Sequence, residues 1–319
     1  MIKISTDIDF AVQLLNNDKI IGFPTETVYG LAGNIFSKNA INSIFETKQR
    51  PKFNPLIVHI AKMEQLEQLA IAIPENARLL ANAFWPGPIT LLLKKHSSVS
   101  DLITAGKPTV AVRIPNHKMA LGILNAIDFP LAAPSANPFG RISPTSAKHV
   151  ADFFPNEIEA VFDGGECQNG IESTILGFDG ENVIVYRLGA IAVEEIEAVV
   201  GKVKVFTSDN IAPNAPGMLK KHYSPKTNFV LTSDVEKEIE KYRNKKIGVL
   251  SFNKNYKSES ISIISILSKN SDFKEASRKL YNVMHQLDKE NLDIIIAEKF
   301  PNLDLGKSIN DRLMRAAEK

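Results

Sequence analysis

The sequence changes character near residue 207, and this break limits the chain to folds with two separate cores. Residues 208–227 hold three prolines and show no strand or helix periodicity, which is typical of a linker. We therefore predict one domain over residues 1–207 and a second over residues 228–319. With 319 residues, the chain is long enough for each part to bury a core of its own.

The first part contains more strand-like runs in succession than a simple alternation of strand and helix allows. Segments with apolar residues three and four apart, which indicate helices, separate only some of these runs. This pattern predicts an α/β domain with a twisted, largely antiparallel or mixed sheet and helices outside it. The predicted strands lie at 20–23, 55–60, 89–94, 109–114, 130–133, 160–163, 172–178 and 182–187.

Beyond residue 228 the predicted strands and helices alternate, which is typical of a small parallel sheet flanked by helices. We therefore predict a Rossmann-like unit. It contains no GxGxxG sequence, so the fold by itself predicts no dinucleotide site. Its predicted strands lie at 228–232, 246–251, 261–265 and 293–297, and its helices at 234–242, 272–289 and 307–317.

The linker has two interpretations. It is a solvated tether, or it is a flap that folds back over the first domain. A tether needs neither an aromatic residue nor clustered cations, yet the linker carries Lys220, His222 and Tyr223. Because of these residues, we retain the flap as a second hypothesis.

Composition excludes several classes of protein. The net charge is only +2, so the chain has no general basic field for nucleic acid. Cys167 is the only cysteine, which rules out an internal disulfide and a paired-cysteine zinc site, and we interpret it as a packed residue. No apolar run approaches the roughly 20 residues that span a bilayer, and the start of the chain does not resemble a signal peptide. We expect a cytosolic protein.

Lys48 and Arg50 stand two residues apart at the end of a predicted helix over 38–49. Such residues diverge by about 200° on a regular helix. Pro51 biases Arg50 away from helical geometry, so both cations could face one ligand. The alternative is a solvated helix end, where the helix dipole favours cations.

Arg113 falls inside the buried strand predicted at 109–114. An arginine in such a strand is costly unless it is paired, and no carboxylate lies near it in the sequence. We therefore expect Arg113 to be held ready for a ligand carboxylate, which its planar fork matches. His59 also lies in an apolar strand, where a satisfied core histidine is the alternative to a ligand contact.

Ser135 and Asn137 follow the strand predicted at 130–133, in a run of small residues and prolines. Loops at strand ends often carry ligand sites, although a plain turn has the same composition. Together with Lys48 and Arg50, this loop supplies the charge and hydrogen bonds that nucleotide phosphates need. The site would use neither a Walker nor a Rossmann glycine loop.

These segments follow one another in a known order, and the chain resembles the YrdC-like threonylcarbamoyl-AMP synthases in their long, two-domain form. The resemblance covers most of residues 20–190. The matching motifs lie at 22–31, 48–51, 54–59, 85–90, 112–115, 133–137, 172–175 and 187–189, and two long-form signatures lie at 215–225 and 309–313.

The resemblance implies a twisted α/β sheet around a large basic cavity. It also implies an activity, in which L-threonine, bicarbonate (or CO2) and ATP give threonylcarbamoyl-AMP and pyrophosphate, with Mg2+ accompanying the ATP. The product would feed a tRNA threonylcarbamoyl transferase complex, and a weak direct contact with tRNA is left open.

The resemblance further assigns roles to individual residues. Lys48 and Arg50 would be catalytic, by stabilising the phosphates. The residues implied for threonine are Thr27, His59, Arg113, Ala133 and Ser173. The residues implied for ATP are Arg50, Asn54, Thr109, Ser135, Asn137, Ser143, Arg187 and Tyr223.

Two other functions are weighed against this one. A non-catalytic RNA-binding protein could use the same basic cavity, but the low net charge and the scarcity of aromatic residues at the site argue against it. Carbamoyl transfer, as in related domains of hydrogenase maturation factors, normally comes with zinc-finger and acylphosphatase segments, which this sequence lacks.

Overall fold

The first half of the chain forms one large mixed sheet with helices around it, as predicted. The computed structural model describes residues 2–206 and 222–318. Within the first of these ranges the strands are β1 Lys3–Ser5, β2 Ile21–Phe23, β3 Gly30–Asn34, β4 Ile57–His59, β5 Ile89–Lys94, β6 Thr109–Arg113, β7 Leu131–Ala132, β8 Ala160–Phe162, β9 Thr174–Asp179, β10 Asn182–Arg187 and β11 Lys204–Val205.

The order of the strands across the sheet differs from their order along the chain. The sheet runs β1-β8-β2-β3-β7-β4-β6-β5-β9-β10-β11. In its centre β4 pairs parallel with β6, which sets His59 opposite Arg113, and antiparallel with β7. Segments that are far apart in sequence therefore meet at the ends of the central strands.

The helices of this half pack on both faces of the sheet, over separate apolar clusters. Burial on both faces explains why the central strands are continuous apolar runs. The helices are α1 Ile8–Asn16, α2 Lys38–Lys48, α3 Glu75–Phe84, α4 Asp101–Thr104, α5 Lys118–Asn125, α6 Ala147–Phe153 and α7 Val193–Val200, with a 3-10 helix over Met63–Gln68.

Three strands were not predicted, and β3 is the most central of them. Its sequence, Gly30 to Asn34, contains two glycines and an asparagine, which are depleted in strands. It is a strand because β2 and β7 pair with it on either side. Here tertiary pairing overrides local propensity. The other two, β1 and β11, have two or three residues each and lie at the sheet edges.

The second half forms the predicted parallel sheet. Its strands are β12 Asn228–Thr232, β13 Ile247–Ser251, β14 Ile261–Ile266 and β15 Ile294–Glu298, and its helices are α8 Val235–Lys241, α9 Phe273–Leu287 and α10 Leu305–Ala317. The strands lie in the order β12-β15-β13-β14, and every pair is parallel. Among the described residues, no helix is both long and apolar enough to cross a bilayer.

The two halves share one apolar cluster, which contains Ile142 and Ile171 from the first and Leu280 and Tyr281 from the second. The two halves also meet at Gly170, which has a φ of +72°. A Cβ there would lie 2.4 Å from the carbonyl oxygen of Arg278 in α9. The predicted boundaries of the linker fall in or beside residues outside the described ranges, and they stay predictions.

We predict that Gly170→Ala destabilises the fold more than Gly180→Ala does. The difference between the two variants measures the steric effect of α9 apart from backbone strain. Gly180 also has a positive φ, of +57°, but a Cβ there would meet nothing within 4 Å. Strain alone costs about 1 kcal/mol, and overpacking adds a further 1–3 kcal/mol, roughly. Gly170→Ala should therefore lower the free energy of unfolding, measured by urea denaturation, by roughly 2 kcal/mol more. Equal losses would show that the approach of α9 has no steric importance.

Candidate functional site

Most of the predicted site residues surround one cavity. It lies beside the ends of β4 and β6, the loop after β7, and the start of β9. Nine of the fourteen predicted residues line it: Thr27, Arg50, His59, Arg113, Ala133, Ser135, Ser173, Arg187 and Tyr223. All five residues implied for threonine are among them. The sheet order thus brings segments spread over two hundred residues to one place.

Arg113 is buried, as expected, but it is paired with a carboxylate. Its Nη2 lies 2.6 Å from Oε1 of Glu26, and both side chains are buried. Nη1 donates to the Thr27 hydroxyl at 2.8 Å and Nε to the Gly87 carbonyl at 3.3 Å. The expectation that Arg113 waits without a partner was therefore wrong, because the fold brings Glu26 to it from a distant segment. The guanidinium is fixed in orientation and still lines the cavity.

The donor and acceptor roles of the Thr25 and Thr27 hydroxyls beside Arg113 follow from their partners. Thr25 donates to the Val28 carbonyl at 2.7 Å, so its oxygen accepts from the Thr27 hydroxyl, 2.9 Å away. The Thr27 oxygen in turn accepts from Arg113. This chain of hydrogen bonds fixes the orientation of the guanidinium.

His59 is 3% exposed and lines the same end of the cavity. Its Nδ1 has no hydrogen-bond partner among the described residues. Burial, followed by the charge of Arg113, lowers the pKa of His59 to about 3. The imidazole is therefore neutral near pH 7. A buried ring nitrogen without a partner is costly, so a ligand that bonds to it would be stabilised.

Arg50 and Arg187 supply further positive charge to the cavity, at 8% and 7% exposure. Arg50 donates to the carbonyl oxygens of Asn54 and Pro55, which are neutral acceptors. Arg187 donates to the carbonyl and the hydroxyl of Ser173. Burial, followed by Arg187, lowers the pKa of Arg50 to about 9, because two cations share a desolvated space. An anion between them would relieve this repulsion.

Lys48 is buried but does not line the cavity. Its ammonium donates to the carbonyl oxygens of Ser135 and Asn137 and so fixes the loop that follows β7. Helix α2 ends at Lys48 because Gln49 takes a left-handed conformation, with a φ of 52°. This turn places Lys48 behind the loop and Arg50 at the cavity.

Four further predicted residues lie outside the cavity lining. Ser143 donates to the Glu172 carboxylate at 2.7 Å. Thr109 begins β6, about 13 Å along the strand from Arg113. Asn54 and Asn137 are fully buried. Both amide atoms of Asn54 and the Oδ1 of Asn137 have no partner among the described residues. Unsatisfied amides in such a place indicate groups that a ligand or water would complete.

The described end of the linker lies against the first domain. Tyr223 and His222 both line the cavity and are almost wholly buried. The Ser224 amide donates to the Gly140 carbonyl at 2.8 Å and anchors the segment beyond them. Their position fits a flap and is opposite to that of a solvated tether. Lys220, the third flap residue, lies outside the described residues.

Comparison with known proteins agrees with this geometry. A family model for Sua5, YciO and YrdC proteins, described as telomere recombination, matches residues 13–189. A second model, for the C-terminal domain of threonylcarbamoyl-AMP synthase, matches residues 191–318. The chain belongs to the Sua5/YrdC family. It has the long form, with the additional C-terminal domain.

Similar family members cover nearly the whole chain. A threonylcarbamoyl-AMP synthase of Pyrococcus abyssi is 39% identical, over 97% of this chain and 94% of that protein. One of Bacillus subtilis is 38% identical, over 96% and 92%. The crystal structure of P. abyssi Sua5 complexed with L-threonine superposes with a TM-score of 0.90 at 39% identity, covering 97% of this chain and 94% of that one.

Three residues of this Sua5/YrdC site were not predicted from the sequence: Thr25, Glu26 and Glu172. Thr25 and Glu172 line the cavity, and Glu26 pairs with Arg113. One signal could have found Glu26: a buried arginine requires a carboxylate somewhere in the fold. Glu26 also adjoins Thr27, which was already assigned to the same site.

We predict that threonine binding does not depend on protonation of His59. Its pKa is lowered to about 3, so the ring stays neutral from about pH 5.5 to about pH 8. Titration calorimetry with threonine should give a flat profile over this range for the native chain. His59→Gln should lower the affinity but keep the profile flat. The prediction would be contradicted if the native chain bound threonine more tightly as the pH fell through 6.5 and His59→Gln abolished this pH dependence.

Proposed function

We propose that this chain is a threonylcarbamoyl-AMP synthase, which joins L-threonine, bicarbonate and ATP into threonylcarbamoyl-AMP and releases pyrophosphate. The observation that carries the proposal is the single cavity in which an oriented arginine and a second pair of buried cations lie within reach of one molecule. The names of the similar family members, and the L-threonine in the P. abyssi Sua5 structure, support the same conclusion.

Threonine would bind at the Arg113 end. The guanidinium and the neutral His59 would hold the carboxylate, since both line the cavity and Nδ1 of His59 has no partner among the described residues. The Ser173 hydroxyl, held by Thr90 at 2.7 Å and Arg187 at 3.1 Å, would meet the remainder of the amino acid with Ala133. A zwitterion suits this end because the Arg113–Glu26 pair is already balanced in charge.

ATP would bind at the Arg50 end. Arg50 and Arg187 would hold the phosphates, with Ser135 beside them and Tyr223 closing over the nucleotide. Lys48 would act from behind, through the loop carbonyls that it holds. We assign it a positioning part in the reaction, because its ammonium faces those carbonyls.

The reaction needs alignment and charge stabilisation more than covalent help from the protein. The threonine amine takes up CO2 and loses a proton to form a carbamate. A carbamate oxygen then bonds to the α-phosphorus of ATP, and the bond to pyrophosphate breaks. Cations that are already in place stabilise the leaving phosphates. Because a carbamate decomposes in water, burial under His222 and Tyr223 would protect it.

We propose that Mg2+ arrives with ATP. The described residues contain no cluster of three or more histidine, cysteine or acidic side chains that could hold a metal ion. Arg50 and Arg187 would instead meet the phosphates, which would carry the ion. When bound, Mg2+ supplies charge neutralisation to the leaving pyrophosphate.

An RNA-binding role for the same cavity is disfavoured by burial. Arg50, Arg113 and Arg187 are 8% exposed or less, so the backbone of a folded RNA cannot reach them. The proposed link to tRNA is through the product, which a tRNA threonylcarbamoyl transferase complex would consume. We propose the cytosol as the place of reaction, because ATP and tRNA are present there.

The reaction itself gives the first test. The purified chain should release pyrophosphate from ATP only when threonine and bicarbonate are both present, as measured by a coupled pyrophosphate assay. Omitting either should remove the signal, because the carbamate cannot form. Release without threonine, or no release under any condition, would refute the assignment.

Two conservative variants should separate the two ends of the cavity. Arg113→Lys keeps a charge for Glu26 but loses the fork, and a charged hydrogen bond is worth roughly 1.5–3 kcal/mol. Threonine binding should weaken by about 10-fold or more, with ATP binding little changed. Arg50→Lys should show the reverse. If both variants lose both ligands equally, these arginines serve the fold and do not select between ligands.

A further inference from the structure

Side chains of the C-terminal domain contact one residue of the cavity wall. Glu172 belongs to the first domain and lines the cavity, yet two of its partners come from the second domain. Arg312 of α10 donates through Nε to Oε2 at 3.1 Å. The hydroxyl of Tyr281 in α9 lies 3.1 Å and 3.0 Å from the two carboxylate oxygens. Arg312 is fully buried and Glu172 is 6% exposed.

Glu172 is fully engaged by these contacts and by the Ser143 hydroxyl, which donates to Oε1. A carboxylate with this many charge-assisted hydrogen bonds is held in its ionised form and is a poor proton acceptor. Its place in the cavity wall is therefore that of a fixed negative charge. Such a charge would repel the phosphates of ATP unless a cation balanced it.

The same two residues support the ring that closes the cavity. The Arg312 guanidinium lies 5.5 Å from the centre of the Tyr223 ring, and the Tyr281 ring stacks on Tyr223 with centres 5.6 Å apart. The main-chain N–H of His222 donates to the Arg315 carbonyl of α10 at 3.2 Å. The described end of the linker thus rests on α9 and α10.

We propose that Arg312 and Tyr281 are positioning residues for ATP binding. Arg312 neutralises Glu172 and so keeps the cavity positive for phosphates, and with Tyr281 it sets the place of Tyr223. The C-terminal domain is on this view a structural part of the nucleotide site. The inference rests on the proposed function, since it presupposes that the ligand at this end is ATP.

The charged and titratable groups around Glu172 determine how ATP binding depends on pH. They are the cations Arg312 on α10 and Arg187 on β10, with the neutral phenols of Tyr281 on α9 and Tyr223 of the linker. Asp311 also pairs with Nη1 of Arg312, at 3.0 Å. Burial alone would raise the pKa of Glu172, but Arg312 and then Arg187 lower it below the ordinary value. Without Arg312 the pKa rises. At lower pH the carboxyl would then become neutral and its repulsion of phosphate would disappear.

The test compares ATP binding in three variants by titration calorimetry, without bicarbonate so that no reaction occurs. Arg312→Met should weaken ATP binding at least tenfold at neutral pH, and the ratio to the native constant should shrink as the pH falls. The double variant Glu172→Gln with Arg312→Met should recover most of the affinity, with a ratio that does not change with pH. Tyr281→Phe, which keeps the ring, should weaken ATP binding about threefold.

Two controls distinguish a specific effect on the ATP site from a general loss of structure. They are threonine binding and a variant at another contact between the domains. Threonine affinity should stay within threefold in all variants, because Thr90 and Arg187 hold the neighbouring Ser173 independently. Lys307→Ala removes an exposed ion pair with Glu194 between the same domains and should leave both affinities within twofold. Thermal unfolding should show that each variant is folded at the assay temperature.

Native ATP affinity for Arg312→Met would overturn the proposal. So would equal losses of ATP and threonine, or a double variant no better than the single one, since these indicate a role in folding alone. Failure of the proposed function is recognised separately, because the unaltered chain would then bind no ATP or release no pyrophosphate.

Discussion

The site depends on keeping several guanidinium groups charged where water is scarce. Arg50, Arg113 and Arg187 are each 8% exposed or less around one cavity. Buried cations are costly unless they are compensated, and the compensation here is uneven. Arg113 has Glu26 beside it, whereas Arg50 donates to the carbonyl oxygens of Asn54 and Pro55. A balanced end suits a zwitterionic amino acid, and an end with excess positive charge suits a triphosphate.

The sheet order is what makes this distribution possible. β4 and β6 bring His59 and Arg113 together, and the Thr27 loop reaches them from 86 residues before Arg113. The sequence allowed prediction of Arg113 as a buried group in a strand, since an arginine within an apolar run is visible locally. Its partner Glu26 was not predicted, because pairing across such a separation depends on strand order, which periodicity does not encode.

Elements with strong periodicity were predicted well, and those that depend on neighbours were not. Strands β5 and β12 coincide with the predicted ranges, and helix α2 ends one residue before its predicted end. Strand β3 was missed because its glycines disfavour a strand in isolation. Lys48 shows the same limit within the site. Its charge and its place at the end of α2 were visible, but its hydrogen bonds to the loop after β7 depend on the tertiary fold.

The C-terminal domain shows the largest gap between pattern and role. Alternation predicts its parallel sheet, and an amphipathic pattern predicts α9 and α10, but a periodic pattern reports burial and not the identity of the partner. In such a helix, the pattern indicates a core position for Tyr281 and a solvent-exposed one for Arg312, yet both side chains are hydrogen-bonded to Glu172. A chain without residues 228–318 would leave that carboxylate in the cavity wall without Arg312. The second domain therefore cannot be removed without changing the charge of the first domain's site.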